Sequence, residues 1–277
     1  MGTYSKKVGD PRGAKELAHN ENLLEVKAIS IQFGGLKAVD NFNLTVAPGE
    51  LVGLIGPNGA GKTTVFNMLT GVYKPKIGNI IFDGKRINGL PPYEVTKQGI
   101  SRTFQNIRLF RELSVLDNVK IAYHNHAKHS IFSSILRLPS HLKGEREMEQ
   151  QAIEFLDIFE ISHLKDEKAK NLPYGLQRRL EVARALACGP KLLLLDEPAA
   201  GMNPQETEDL MELISFIREK FNLTIILIEH DMKLVMGICE RISVLDHGQL
   251  IAEGPPEEIQ NNPRVIEAYL GEDAKHA

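Results

Sequence analysis

The sequence predicts an α/β fold with a mainly parallel central sheet and an inserted helical subdomain. Apolar runs such as LVGLIG, KLLLLDEP and LTIILIEH have the length and composition of strands that are buried on both faces. Segments with helical spacing alternate with these runs, which is typical of α/β proteins. Residues 113 to 170 instead contain two segments with helical spacing and no strand-like run, which indicates the insertion.

The elements before the insertion begin with three strand-like segments, LLEVKAISIQF, FNLTVAPGE and LVGLIG. A helix is expected to start inside GAGKTTVFNMLTG, and GNIIFDGKRI is expected to form strand again. In the insertion, the spacing predicts two helical segments, with a break at LPSHLKG between them.

After residue 190 the alternation of strands and helices resumes. KLLLLDEP is followed by a predicted helix over PQETEDLMELISFIREKF, and LTIILIEH by a further helix. The segment RISVLDHGQLIAEG is expected to be strand.

Composition excludes several classes of protein. The formal charge of −3 gives no electrostatic basis for nucleic-acid binding. Cys188 and Cys239 lack the spacing of a metal site or a disulfide framework, so a reducing cytosol fits best. No apolar run approaches the roughly 20 residues that a membrane-spanning helix needs. If the protein acts at a membrane, other chains must provide the span.

The segment GPNGAGKTT matches the phosphate-loop pattern between a predicted strand and a predicted helix. Its glycines let backbone N–H groups close around phosphate oxygens at a helix N-terminus. Lys62 is placed to reach the β- and γ-phosphates, and the Thr63 hydroxyl to bind Mg²⁺. The predicted nucleotide-binding residues here are Gly56, Pro57, Asn58, Gly59, Ala60, Gly61, Lys62, Thr63 and Thr64.

Two acidic residues end the strand of LLLLDEP, at the carboxyl edge of the sheet where ligands of such folds bind. Asp196 is a candidate ligand of Mg²⁺, and Glu197 a candidate to orient or deprotonate an attacking water. Together with the phosphate loop, these residues predict a nucleoside triphosphatase.

The order of five motifs is similar to that of the ATP-binding cassette (ABC) ATPases. They are the phosphate loop, the glutamine of SRTFQN, a glycine turn before QRR, LLLLDEPAAGMNP and LIEHD. The resemblance implies a P-loop NTPase core of ABC ATPase type, with an inserted helical subdomain and an antiparallel β region.

The extent of this resemblance suggests a division of the chain. We expect residues 1–22 to be a flexible N-terminal extension and residues 23–271 to be a single ABC ATPase domain. The helical subdomain is expected at about 107–188, and residues 272–277 are expected to form a C-terminal tail.

The resemblance also implies roles for residues outside the two central motifs. Phe33 corresponds to the aromatic residue that stacks on adenine. Gln105 corresponds to the glutamine that senses the metal and the attacking water, and couples them to the helical subdomain. His230, between Glu229 and Asp231 at a strand end, corresponds to the switch histidine on the γ-phosphate. The implied catalytic residues are thus Glu197, His230, Gln105 and Lys62, and the metal ligands Thr63, Gln105 and Asp196.

In this family ATP binds between two cassettes, one of which contributes a signature turn resembling L-S-G-G-Q. In this chain LPYGL, residues 172–176, takes that place: Pro173 stands where the serine would be, and Leu176 where the glutamine would be. Gly175 is retained as a nucleotide-binding residue, while the lost hydroxyl contact is worth roughly 1.5–3 kcal/mol. We therefore expect a heterodimer with a second ATPase whose turn is intact. Asn203 replaces the usual aspartate of the dimer-contacting loop.

Several longer stretches, including SRTFQNIRLFRELSVLDNV and DEPAAGMNPQET, resemble the LivG-type ATPase subunits of branched-chain amino-acid importers. The resemblance implies ATP and Mg²⁺, two transmembrane permease subunits, an extracytoplasmic binding protein and a peripheral place on the cytoplasmic face of the membrane. Other interpretations are a urea or amide importer, a lipopolysaccharide exporter and, least favoured, a non-transport ABC protein. The permease encoded beside the chain would discriminate among the transporters.

Two weaker signals remain. His124, His126 and His129 suggest a metal site, but only the last two are neighbours on a helix, so a polar helical surface is favoured. The segment NIRLFRELS mixes apolar and basic side chains that could line a groove for a permease helix, or else pack within the subdomain. The residues in question are Arg108, Leu109, Phe110 and Leu113.

Overall fold

The computed structural model describes residues 22–123 and 139–276, and within them the side chains of 22–123 and 148–270. The predicted N-terminal extension, apart from Asn22, lies outside the described residues. So do His124, His126 and His129. No helix in the described part of the chain is both long and apolar enough to cross a membrane.

The described residues contain ten strands, most of them where the sequence predicts strand. They are β1 (Leu24–Phe33), β2 (Leu36–Val46), β3 (Leu51–Ile55), β4 (Ile77–Phe82), β5 (Lys85–Arg86), β6 (Ile100–Arg102), β7 (Leu192–Asp196), β8 (Thr224–Ile228), β9 (Arg241–Asp246) and β10 (Gln249–Gly254). Strand β6 was not predicted, because its three residues are too few for a periodic pattern.

The described residues also contain nine α-helices, which connect or follow these strands. They are α1 (Lys62–Leu69), α2 (Pro92–Gln98), α3 (Val115–Tyr123), α4 (Pro139–Ile158), α5 (Tyr174–Leu186), α6 (Pro204–Phe221), α7 (Met232–Ile238), α8 (Pro256–Gln260) and α9 (Pro263–His276). Helices α3, α4 and α5 lie within the residues 107–188 predicted as the helical subdomain.

The strands form two sheets. The larger has the order β10-β9-β3-β8-β7-β6, and all its neighbouring pairs are parallel except β10 with β9. The smaller has the order β2-β1-β4-β5 and is antiparallel throughout. Both the mainly parallel core and the antiparallel β region are therefore confirmed.

Neighbouring leucines of β7 show how the larger sheet is covered on both faces. Leu193 and Leu195 join an apolar cluster that includes side chains of α3 to α7. Leu192 and Leu194 point the other way, into a cluster with Phe66 of α1 and the strands of the smaller sheet. Because successive side chains of a strand alternate between faces, β7 must be apolar at every position to serve both layers.

Helix α6 coincides with its prediction because both ends carry strong local signals. Asn203 accepts hydrogen bonds from the N–H groups of Gln205 and Glu206, and the Glu206 side chain accepts one from the backbone of Asn203. This capping box and Pro204 at the first helical position fix the start. Asn222, in the left-handed conformation with φ of 49°, ends the helix.

One expectation differs from the structure at the start of a helix. The predicted break at LPSHLKG is wrong: Pro139 is the first residue of α4, and the helix continues through Gly144. Proline is favoured at a first helical position, and an internal glycine costs only about 1 kcal/mol. Helix α9 runs to His276, through most of the residues 272–277 that we expected to form a tail.

Candidate nucleotide site

The candidate residues meet at the carboxyl edge of the larger sheet. Gly56 follows β3, Glu197 follows β7, and His230 comes two residues after β8. Gln105 lies three residues beyond β6, the neighbour of β7. Since these strands are parallel, all four chain segments leave the sheet at one edge, where ligands of such folds bind.

The phosphate loop needs glycine at several positions. Gly56, Gly59 and Gly61 have φ angles of 148°, 75° and 105°, in the region that residues with a Cβ avoid. A Cβ on Gly56 would lie 1.9 Å from the carbonyl oxygen of Leu245, and one on Gly61 2.5 Å from that of Ala38. The loop therefore presses against β9 and β2, and this contact fixes its shape.

Lys62 begins α1, and its side chain folds back over the loop. Its Nζ donates to the carbonyl oxygens of Gly56 and Pro57, at 2.6 and 2.8 Å, and the residue is buried. Thr63 is exposed and Thr64 half-buried in the first turn of the helix. The loop thus gathers a lysine, two hydroxyls and a helix N-terminus, a combination suited to phosphate.

Gln105, Glu197 and His230 form a connected group. The Gln105 Nε2 donates to Glu197 Oε2 at 2.6 Å, and His230 Nε2 lies 3.0 Å from Glu197 Oε1. The Glu197 backbone has a φ of 49°, a strained left-handed conformation for a residue with a side chain. Strain of this kind is typical of functional residues, and here it belongs to the predicted catalytic carboxylate.

Asp196 is buried, and its partner was not expected. Its Oδ2 lies 2.6 Å from a guanidinium nitrogen of Arg102, and both side chains are 5% exposed. The second terminal nitrogen of Arg102 donates to Asn67 of α1 at 2.8 Å. Arg102 therefore ties β6, β7 and α1 together. In the sequence, Arg102 is only an arginine beside a short apolar stretch, which is too weak a signal to predict its pairing with Asp196.

Phe33, the predicted adenine-stacking residue, ends β1 and is 45% exposed. Its ring meets the ring of Tyr73 edge-on, with centroids 5.1 Å apart. An exposed ring held by a second ring is suited to receive the face of a base. Nothing in the sequence pointed to Tyr73.

A buried ion pair connects the segment after β6 to helix α5. Arg178 and Glu181 lie 2.7 Å apart and are 0% and 2% exposed. Arg178 donates to the carbonyl oxygens of Phe104 and Gln105 at 2.7 and 2.9 Å. Arg178 belongs to the QRR segment after the glycine turn, and the structure buries it against the backbone of Gln105.

Glu229 is also buried, at the end of β8. Its carboxylate oxygens accept from the N–H groups of Ala199 at 2.7 Å, His230 at 3.0 Å and Asp231 at 3.5 Å. Burial raises the pKa of Glu229; the three backbone donors act against this, and the charge of Glu197 adds to it. Its position beside His230 was visible in the sequence, but these contacts were not.

Gly175 lies in a different place, in the first turn of α5. Pro173 is the N-cap and provides no side-chain hydrogen bond to the helix. A Cβ on Gly175 would lie 3.5 Å from the carboxylate of Glu206 in α6. The LPYGL turn is therefore a helix N-terminus beside the loop that contains Asn203.

The match to known families covers most of the chain. The model described as ABC transporter matches residues 39–200, more than half of the sequence. This chain belongs to the ABC transporter family of ATPases. A second model, described as branched-chain amino acid ATP-binding cassette transporter, matches residues 249–275.

Two curated relatives are similar over nearly their whole length. The high-affinity branched-chain amino acid transport ATP-binding protein LivG of Escherichia coli K12 is 50% identical over 253 residues, covering 91% of this chain and 99% of the relative. The corresponding protein BraF of Pseudomonas aeruginosa is 47% identical over 250 residues, covering 90% and 98%.

A solved structure supports the fold directly. The ADP conformation of an ATP-binding cassette of an ABC transporter superimposes with a TM-score of 0.78 at 33% identity, covering 90% of this chain and 99% of that one. The predicted ABC ATPase fold is thereby confirmed.

We predict that Gly56→Ala abolishes nucleotide binding, because its Cβ would require the loop to move away from Leu245. Gly59→Ala is the matched control: its φ is also positive, but a Cβ there meets no atom within 4 Å, so only strain of about 1–2 kcal/mol is expected. Titration with a fluorescent ATP analogue measures both. Equal affinities for the two variants would contradict the assigned shape of the loop.

Proposed function

We propose that this chain is the ATP-hydrolysing subunit of an ABC importer for branched-chain amino acids. The observation that carries the hydrolytic part is the Glu197 carboxylate, held between Gln105 and His230 at the sheet edge that carries the phosphate loop. The substrate follows from the 50% identity to LivG and from the match of residues 249–275 to the branched-chain family model.

Hydrolysis needs a positioned water and compensation for charge on the γ-phosphate. Glu197 supplies a carboxylate that orients the water or accepts its proton, and its two neighbours hold that carboxylate. Lys62 and the N-terminus of α1 supply positive charge at the phosphates, and His230 contacts the γ-phosphate. Phe33 provides the stacking face for adenine.

Mg²⁺ fits the oxygen donors that the chain offers. The hydroxyl of Thr63, the carboxylate of Asp196 and the side-chain amide of Gln105 would hold it, and these are the hard ligands that Mg²⁺ prefers. When bound with ATP, the ion neutralises charge on the phosphates. Arg102 contacts Oδ2 of Asp196, so the other carboxylate oxygen would be the one to hold the ion.

The signature turn supports a heterodimer. A helix N-terminus with Gly175 remains available to a nucleotide on a second cassette, but Pro173 offers no hydroxyl. Two copies of this chain would place the weakened turn at both ATP sites. A second ATPase with an intact turn would complete the site built on Lys62, Glu197 and His230.

A groove beside the ATP site offers a place for a permease. A cavity of about 440 Å³ lies between the sheet edge and the helical subdomain. Phe110 and Ile121 line it with exposed apolar surface, and Arg108 and Arg184 line it with positive charge. Leu113 is exposed nearby, whereas Leu109 packs against the core. An apolar groove with a basic rim fits an amphipathic helix with acidic ends.

In the assembled importer we place this chain at the cytoplasmic face of the membrane, bound to two permease subunits. The extracytoplasmic binding protein then acts on it only through those permeases. Nucleic acid has no part in this assignment, as the net charge of −3 already indicated.

We predict that Glu197→Gln retains ATP binding and lowers kcat by about a hundredfold or more, because the amide no longer serves as a base. ATP should then trap the closed complex of this chain with its partner ATPase, which size-exclusion chromatography detects. Glu208→Gln, an exposed glutamate on α6, is the control and should leave both properties unchanged. Rapid turnover by Glu197→Gln would refute the role of the carboxylate.

We predict that Pro173→Ser raises the ATPase rate of the isolated chain by about ten- to hundredfold, because a hydroxyl returns to the turn. Asn171→Ser adds a hydroxyl two residues away and should have no such effect. Full ATP-dependent dimerisation and hydrolysis by the unaltered chain alone would contradict the heterodimer.

We predict that Phe110→Asp weakens association with the permease subunits by about tenfold or more, because it places a charge in the apolar part of the groove. Phe216→Asp is a matched control, since both rings are 47% exposed but Phe216 lies on α6, outside the groove. Co-purification from membranes measures the association. Equal losses for both variants, or none for Phe110→Asp, would contradict the docking site.

A further inference from the structure

We propose that Glu229 is a positioning residue that holds the loops of Glu197 and His230 in register. This inference rests on the roles proposed above for those two residues. It adds a residue that acts through the backbone of the two loops that carry Glu197 and His230.

The need for such a residue arises where the parallel ladder ends. Strands β7 and β8 pair as far as Asp196 with Ile228, and the N–H of Glu197 donates to the carbonyl of Ile228 at 2.9 Å. Beyond this hydrogen bond, the segments that follow β7 and β8 both turn away from the sheet. Glu197 makes this last backbone contact, and His230, which its side chain must meet, comes two residues after Ile228.

The Glu229 carboxylate spans that gap. One oxygen accepts from the N–H of Ala199, two residues after Glu197. The other accepts from the N–H of His230 itself and from that of Asp231. A single buried side chain therefore bonds the backbone of both loops on either side of the Glu197–His230 contact.

The chemistry of the contacts calls for a carboxylate. All three partners are N–H donors, and an ionised carboxylate is an acceptor at both oxygens. The amide of a glutamine has the same shape but turns an NH₂ group toward one of the loops. The NH₂ group would then face a backbone N–H, so that two hydrogen-bond donors meet in a buried position. That loop would lose its hydrogen bond to the side chain.

The effect should be on turnover rather than on nucleotide binding. The phosphate loop lies after β3 and the adenine-stacking Phe33 at the end of β1, and neither contacts Glu229 by a hydrogen bond in the described residues. Glu197 and His230 lie 3.0 Å apart, so a small movement of either loop changes their contact.

The test compares Glu229→Gln with Glu50→Gln in the assembled transporter. Glu50 is a matched control, because it is a partly buried glutamate that accepts the N–H of Ala47 and pairs with Arg241 at the opposite end of β3. We expect Glu229→Gln to lower kcat by about tenfold with less than a twofold change in KM. Glu50→Gln should leave both constants unchanged, whatever it does to the melting temperature.

A double-mutant cycle separates positioning from a general loss of stability. If Glu229 acts through His230, then Glu229→Gln should lower kcat less than threefold when His230 is already alanine. Additive effects, or equal losses of kcat in Glu229→Gln and Glu50→Gln, would overturn the proposal. Should Glu229→Gln fail to fold, Glu229→Asp, which keeps the charge but lacks the reach, is judged by the same criteria.

Single variants of Glu197 and His230 distinguish a failure of their proposed catalytic roles from a failure of the positioning role of Glu229. If Glu197→Gln and His230→Ala leave kcat intact, the proposed catalytic roles are wrong. If both lower kcat while Glu229→Gln does not, the catalytic roles stand and only the positioning role of Glu229 is refuted.

Discussion

The buried ion pair between Arg178 and Glu181 is the interaction on which the arrangement of the candidate site most depends. Arg178 is 0% exposed and donates to the backbone of Phe104 and Gln105, while its partner Glu181 accepts from the N–H groups of Phe104 and Arg108. Breaking a buried pair of this kind by removing one partner costs about 3–5 kcal/mol. The pair therefore fixes where the segment carrying Gln105 leaves the sheet.

The same pair joins the two halves of the proposed mechanism. Arg178 lies on the helix that begins at the LPYGL turn, and Gln105 contacts the catalytic carboxylate. In that mechanism, a movement of the LPYGL turn is transmitted through helix α5 to the segment that carries Gln105. Gln105 then transmits it to Glu197 of the same chain. The groove proposed above for a permease borders the same residues, since Arg108 and Glu181 line it as well. The proposed nucleotide site and the proposed docking groove thus share a small set of buried polar contacts.

The three acidic residues at this edge of the sheet are held in three different ways. Asp196 is paired with a cation, Arg102, whereas Glu229 is held by backbone N–H groups. Glu197 is held by neutral or titratable side chains, which leave its carboxylate open to react. These differences follow burial: Asp196 and Glu229 are each 3% exposed, whereas the side chain of Glu197 is 16% exposed.

Local sequence determined much of this protein. The phosphate loop, the apolar strands and the capped helix α6 are written in neighbouring residues, because glycine, alternating faces and caps act over a few positions. Lys62, Asp196 and Glu197 were predicted from such local patterns, whereas the family and the role of His230 were implied by the order of the motifs along the chain. The break predicted at LPSHLKG was wrong because proline ends one helix pattern and equally well begins the next.

Tertiary structure alone decided which distant side chains complete the site. Arg102 lies 94 residues from Asp196, and Arg178 lies 73 residues from Gln105. Periodicity shows which face of an element is polar, but it does not show which other element packs against that face. Arg178 and Glu229 looked like ordinary polar residues in the sequence, and only the packing of the sheet edge made them buried partners of the catalytic loops.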